Sequence, residues 1–118
     1  MSTQVNYPTA KLLKEKGYDK PCGLLYDNNG VLSGTKMSMG GNPNNYINKY
    51  SAPTITEVVV WLYEKYRIWV FVADAGGFGY TIQFLNTDGD SEISGLHEYE
   101  EPIEAYEAAF EYVLNNLI

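Results

Sequence analysis

Apolar and polar positions alternate along this chain with two different periods, and the change of period marks its elements. From Thr54 the period is helical: Ile55, Val58, Trp61, Leu62 and Tyr66 recur at the spacing of one buried stripe. Thr54 and Glu57 have the spacing of a capping box, so this helix starts at a defined point. Directly after it, "RIWVFVADA" switches to a period of two, with Ile68, Val70 and Val72 on one face and Trp69, Phe71 and Ala73 on the other. Both faces are apolar, which predicts a strand that is central or covered on both sides. "YTIQFLNT" alternates in the same way, and the glycines between the two segments predict a hairpin with Phe78 at its tip. "SEISGLHEY" reads as a third strand after the turn "NTDGD". The last segment returns to helical spacing: Pro102 suits a first turn, and Ile103, Tyr106, Phe110, Val113 and Leu117 form its apolar stripe.

Before Thr54 the elements are shorter. "NYPTAKLLKEKGYDKP" predicts a helix with Pro8 in its first turn, Ala10, Leu13 and Leu12 as its apolar side, and Gly17 as a left-handed cap. Asn29-Gly30 between Leu24-Leu25-Tyr26 and Val31-Leu32 predicts a second hairpin. From 34 to 52 Gly, Asn and Ser dominate, which predicts a long loop; Met37, Met39, Tyr46, Ile47 and Tyr50 would let it adhere to a partner or to its own core. The hairpin signals imply antiparallel pairing, because parallel pairs need long crossovers. The expected architecture is a single α+β domain over 1–118. It has an antiparallel sheet of about four or five strands, covered by two amphipathic helices, with a short helix at the start.

Charge narrows the range of functions. The net charge is -7 with a pI near 4.5, which disfavours direct binding to a phosphate backbone. Nine acids and no Lys or Arg lie between Asn86 and the end, whereas Lys11, Lys14, Lys16 and Lys20 sit near the start. Glu100, Glu101, Glu104, Glu107 and Glu111 read as an acidic face of the last helix, either solvated or imitating nucleic-acid charge toward a basic partner. The single Cys22 allows no internal disulfide and no thiolate zinc site. With no apolar run of signal-peptide or bilayer-spanning length, a cytoplasmic setting without membrane association is expected.

Three other stretches bear on chemistry. Gly77-Phe78-Gly79 begins like a phosphate-binding loop, but a strand rather than a helix follows, so a hairpin is the expected structure. Counted from Asn86 as a calcium loop, "NTDGDSE" places Ser91 and His97 where glycine and a bidentate glutamate are required. His97, the only histidine, lies among Glu98, Glu100 and Glu101, with no nucleophile-elbow pattern at Ser91 or Ser94. No catalytic constellation, cofactor or metal follows from these residues.

"AKLLKEKGYDKPC", "YSAPTITEVVVWLYEKYRIWV" and "EAYEAAFEYVLNNLI" together resemble a group of small uncharacterised proteins of bacteriophages, prophages and gut Bacteroides-type bacteria. In that group the second helix often carries an arginine where this chain has Tyr63 and a histidine where it has Tyr66. The resemblance implies a bacterial or phage origin and supplies no activity. The expected function is a non-enzymatic binding or protein-interaction domain, contacting a protein, a small ligand or a second copy in a homodimer through Tyr46, Tyr50, Gly77, Phe78 and Tyr80. The alternatives are an acidic inhibitor of a nucleic-acid-binding protein and a binder of a small nucleotide signal.

Overall fold

A computed structural model describes residues 3–34, 42–74, 76–85, 91–95 and 98–118. They fall into two compact units, Met1–Thr54 and Ile55–Ile118, each built on a three-stranded antiparallel sheet. The protein is thus α+β with antiparallel pairing, but the expected single sheet of four or five strands is corrected to two sheets.

The first unit opens with α1 (Tyr7–Glu15). Asn6 caps it, its side chain accepting from the Thr9 amide at 3.0 Å. At the other end Tyr18 N–H donates to Leu13 and Gly17 N–H to Lys14, with Gly17 at φ 84°. This is the Schellman arrangement, which satisfies the last carbonyls and requires a left-handed residue where Gly17 stands. Thr9, Ala10 and Leu13 form the buried side. β1 (Leu24–Tyr26) and β2 (Leu32–Gly34) pair with Leu25 opposite Ser33. Val31 lies in the turn rather than in the strand, because Asp27 organises a longer loop: its carboxylate accepts from the amides of Asn29 and Val31 at 2.8 and 3.0 Å, and Gly30 takes φ 78°.

The segment expected to be one long loop supplies the third strand. A short 3₁₀ turn, Pro43–Asn45, leads to β3 (Tyr50–Ser51), which pairs with the free side of β1. The order β2-β1-β3 therefore fills both edges of β1. α1 packs on β3, and Val5 N–H bonds the Pro53 carbonyl at 2.9 Å.

The second unit runs α2 (Ile55–Tyr66), β4 (Ile68–Asp74), β5 (Phe78–Phe84), β6 (Ser91–Ser94) and α3 (Pro102–Asn116), with strand order β4-β5-β6. α2 begins one residue after Thr54, as the capping-box spacing predicts, and buries Ile55, Val58, Val59, Trp61 and Leu62. It ends at Arg67, a left-handed residue at φ 56°, whose N–H bonds Tyr63 and whose carbonyl accepts from Leu85. The expectation that β4 is central or covered on both sides is corrected: among the described residues it pairs with β5 alone. Ile68, Val70 and Ile82 are buried on one face, whereas Trp69 on the opposite face is 36% exposed and meets the Tyr63 ring of α2 at 5.6 Å; α2 packs on β4, and α3 on β4 and β5.

The stripe on α3 is also shifted from the expected one. Ala105, Ala109, Phe110, Val113 and Leu114 are buried, while Ile103, Tyr106 and Leu117 are only half-buried. Alanines let the helix axis approach β5 closely, and the bulkier Ile103 and Tyr106 then flank the contact rather than occupy it. Helical spacing fixes which residues share a face, and side-chain size then selects the part of that face that lies lowest on the sheet.

Candidate functional site

In the first unit the segment from Asn42 to Ser51 is braced by a set of side-chain hydrogen bonds. Asn42 behaves as an Asx turn, its side-chain oxygen accepting from the Asn44 amide at 3.0 Å and from the Ser51 hydroxyl at 3.2 Å. Asn44 spans the loop. Its carbonyl oxygen accepts from Ser51 N–H at 2.8 Å, and its amide nitrogen donates to the Tyr18 carbonyl at 3.0 Å. These bonds satisfy the buried Ser51, which would otherwise carry a desolvation cost.

Lys14 secures the far side of the loop. Its ammonium donates to the carbonyls of Tyr46 and Lys49 at 2.6 and 2.9 Å and lies 5.0 Å from the Tyr50 ring centroid. Asn48 takes φ 61° between those two carbonyls, a left-handed conformation that asparagine tolerates better than most residues. The result is a loop tip fixed from beneath. Tyr46 is 51% exposed and Ile47 is 87% exposed, so an isoleucine is presented to solvent by a loop with little freedom to withdraw it.

Tyr50, expected with Tyr46 at a contact surface, lies on the other side of the same Lys14 ammonium. It is half-buried in β3, and its ring meets that of Tyr7 at 5.6 Å and 80°. Tyr7 also touches the Tyr26 ring at 5.6 Å, and Lys11 lies 5.3 Å from the Tyr7 centroid. Two hydroxyls of this cluster are used internally: Tyr7 donates to the Asn28 carbonyl and Tyr26 to the Val5 carbonyl.

In the second unit the glycine stretch turns a corner between β4 and β5, with Asp74 opposite Phe78. Gly77 N–H donates to the Asp74 side chain at 3.3 Å. The expected place of Phe78 at the tip is corrected: it is the first residue of β5 and half-buried, exchanging N–H···O bonds of 2.8 and 3.1 Å with Tyr99. A strand continuing from the glycines lets that backbone pair, and pairing draws Phe78 into the sheet. Tyr80 is half-buried, its ring lying across Gly95 so closely that a Cβ there would stand 2.7 Å from Cε2. Gly77, Phe78 and Tyr80 therefore lie together at one end of this sheet, and Tyr46 belongs to the other unit.

Of the acidic residues, Glu104 and Glu111 are exposed and Glu107 is half-exposed, within a ~60° arc of α3 by helical spacing. Glu100 and Glu101 precede the helix, Glu101 as its N-cap residue without a side-chain bond to it. Tyr99 has its phenol pKa raised, first by burial and then by Glu98, Tyr80 and Glu111, which oppose a phenolate. His97 and the stretch 86–90 lie outside the described residues, so the histidine and most of the calcium-like sequence have no structural description. Cys22 is half-buried. Among the described residues no group of three or more His, Cys, Asp or Glu is arranged to hold a metal ion, and no helix is long and apolar enough to cross a membrane.

The residues that make the loop rigid were not foreseen from the sequence. "NPNN" carried the signal for Asn42, since Asn-Pro initiates turns whose side chain bonds the backbone two residues on. Nothing local connects Lys14 to Tyr46 and Lys49, which follow it by 32 and 35 residues. Comparison with protein-family models, with curated proteins and with solved structures finds no match to this chain.

Proposed function

We propose that this chain is a protein-interaction module of bacterial or phage type, without catalysis of its own, which engages its partner through the loop carrying Tyr46 and Ile47. The observation that supports this reading is Ile47, 87% exposed on a loop braced by Lys14, Asn42 and Asn44. An isolated exposed apolar residue is ordinary. A loop held by this many side-chain bonds is different, because a pre-ordered contact loses less entropy on association. Large apolar anchors set in such surroundings commonly carry most of an interface's affinity.

The test is affinity capture from the source organism with wild-type, Ile47→Asp and Tyr46→Ala baits of equal thermal stability. A specific partner retained by wild type and lost with Ile47→Asp is expected. Partners held equally by all three baits would sink the proposal.

A second reading is supported by charge. The Ile55–Ile118 unit carries twelve acids against Lys65 and Arg67, a formal charge of -10, with Glu104, Glu107 and Glu111 on one side of α3. An inhibitor that occupies a basic surface by this face would bind it with strong salt dependence, lost on Glu104→Lys with Glu111→Lys and unaffected by Ile47→Asp.

A further inference from the structure

The loop is bordered by three ammonium groups that no carboxylate among the described residues pairs. Lys49 lies 5.7 Å from the Tyr46 ring centroid, Lys14 lies 5.0 Å from that of Tyr50, and Lys11 lies 5.3 Å from that of Tyr7. The Tyr50 and Tyr7 rings are themselves in contact at 5.6 Å, and Lys14 bonds the carbonyls of Tyr46 and Lys49. Two of these ammonium groups, on Lys14 and Lys11, thus lie over the touching Tyr50 and Tyr7 rings, and Lys14 ties them through its carbonyl bonds to the loop that carries Tyr46 and Lys49. Among the described residues, none of the three is paired with a carboxylate: each is met by ring faces or carbonyl oxygens. Ring faces and carbonyls orient an ammonium without cancelling its charge. In sequence the Met1–Thr54 unit holds six lysines and three acids, a formal charge of +3 within a chain of -7.

We propose that the partner seated on this loop is an acidic protein segment, one that places an apolar side chain against Ile47 and carboxylates along Lys49, Lys14 and Lys11. The proposal rests on the interaction reading above and specifies its chemistry. A protein segment fits better than the other anionic surfaces. A nucleic-acid backbone presents a dense field that a chain of net charge -7 meets unfavourably as a whole. Stable membrane attachment takes two strong signals, such as two acyl chains or one with a polybasic patch. This loop offers one isoleucine and a half-exposed tyrosine. A peptide needs only a local match, because charges beyond about 8 Å are largely screened at physiological ionic strength.

Selection of a random twelve-residue peptide library displayed on phage against the immobilised full chain tests this directly. Expected are peptides that combine Asp or Glu with a central aliphatic or aromatic residue. The tightest of them, made synthetically and measured by fluorescence anisotropy, should weaken at least roughly tenfold with Ile47→Asp, and by about three- to tenfold with Lys49→Glu. Its affinity should also fall as salt is raised. Ile47→Ser serves as a second variant should the aspartate disturb folding. Ile47-dependent peptides without acidic residues, or indifferent to Lys49→Glu and salt, would overturn the acidic partner and leave the interaction reading standing. No Ile47-dependent peptide from the selection would overturn both. Ile47-dependent binding to phosphatidylserine vesicles in place of peptides would overturn the protein segment in favour of a lipid surface.

Discussion

Replacing Lys14 with methionine removes one ammonium and three interactions with it: the bonds to Tyr46 and Lys49 at 2.6 and 2.9 Å and the contact with the Tyr50 ring at 5.0 Å. Methionine keeps most of the aliphatic stem and nearly the same helix propensity, so α1 should be unaffected. The Gly17 cap bonds the Lys14 backbone carbonyl, which the substitution leaves in place. Hydrogen bonds to a charged group are worth about 1.5–3 kcal/mol when shielded, but these two are open to solvent. Solvent screening reduces each to about 0.5 kcal/mol, and the ring contact adds a further ~0.5 kcal/mol. The sum is about 1.5 kcal/mol, carried almost entirely by the loop, which corresponds to roughly tenfold in its opening equilibrium. Amide hydrogen exchange on the Tyr46 and Ser51 N–H groups, bonded to the Pro43 carbonyl and the Asn44 side chain, should accelerate by about that factor. Amides in α3 should stay as protected as in wild type. Exchange at Tyr46 and Ser51 within twofold of wild type would refute the reasoning, because the loop would then be ordered without the ammonium.

Three further outcomes follow from geometry. Gly95→Ala places a Cβ 2.7 Å from Cε2 and 2.9 Å from Cζ of Tyr80, so it should cost about 1–3 kcal/mol in urea unfolding. A second change, Tyr80→Leu, should recover part of that loss, whereas a fully additive pair would contradict the clash. Gly30→Ala combines a φ of 78° with a Cβ 3.1 Å from Cδ2 of Tyr7; a loss of about 1–2 kcal/mol is expected, and less than 0.5 kcal/mol would show that the turn relaxes freely. Tyr99 has its folded pKa raised above the ordinary value of 10.0. As pH rises past 10, the unfolded chain gives up this proton first, so Tyr99's contribution to stability is intact below that pH and is lost as pH climbs through the folded pKa. Tyr99→Phe should lose less stability than wild type over that alkaline range, and parallel pH profiles of the two would count against the assignment.

Periodicity made most elements legible. The helix after Thr54, with Ile55, Val58, Trp61 and Leu62 buried, follows the three-and-four spacing, and the alternation across β4 and β5 matches the observed register of Val70 with Ile82. The Gly17 cap and the turns containing Gly30 and Gly77 were readable because glycine marks backbone conformations that other residues avoid. Less legible was whatever depends on partners distant in sequence. β3 is two residues long and has no periodic signature of its own; it is a strand only because β1 lies beside it. The same limit hid the loop site. Tyr46 and Ile47 stood out as apolar residues in a polar stretch, but their fixed presentation depends on an α1 lysine reaching back to their carbonyls.

By itself the sequence determined the local terms: where helices start and stop, which faces are apolar, where the chain turns, and how charge is divided between its two ends. These depend on neighbours within a turn of helix or a strand pair, so each is written in a few consecutive residues. The tertiary structure alone decided that the strands close into two separate sheets rather than one, that Phe78 joins the sheet instead of standing at its tip, and that Ile47 is held out in solvent. Each of those outcomes is settled by which backbone groups find partners across long separations, and unpaired N–H and C=O groups are costly enough to fix that choice.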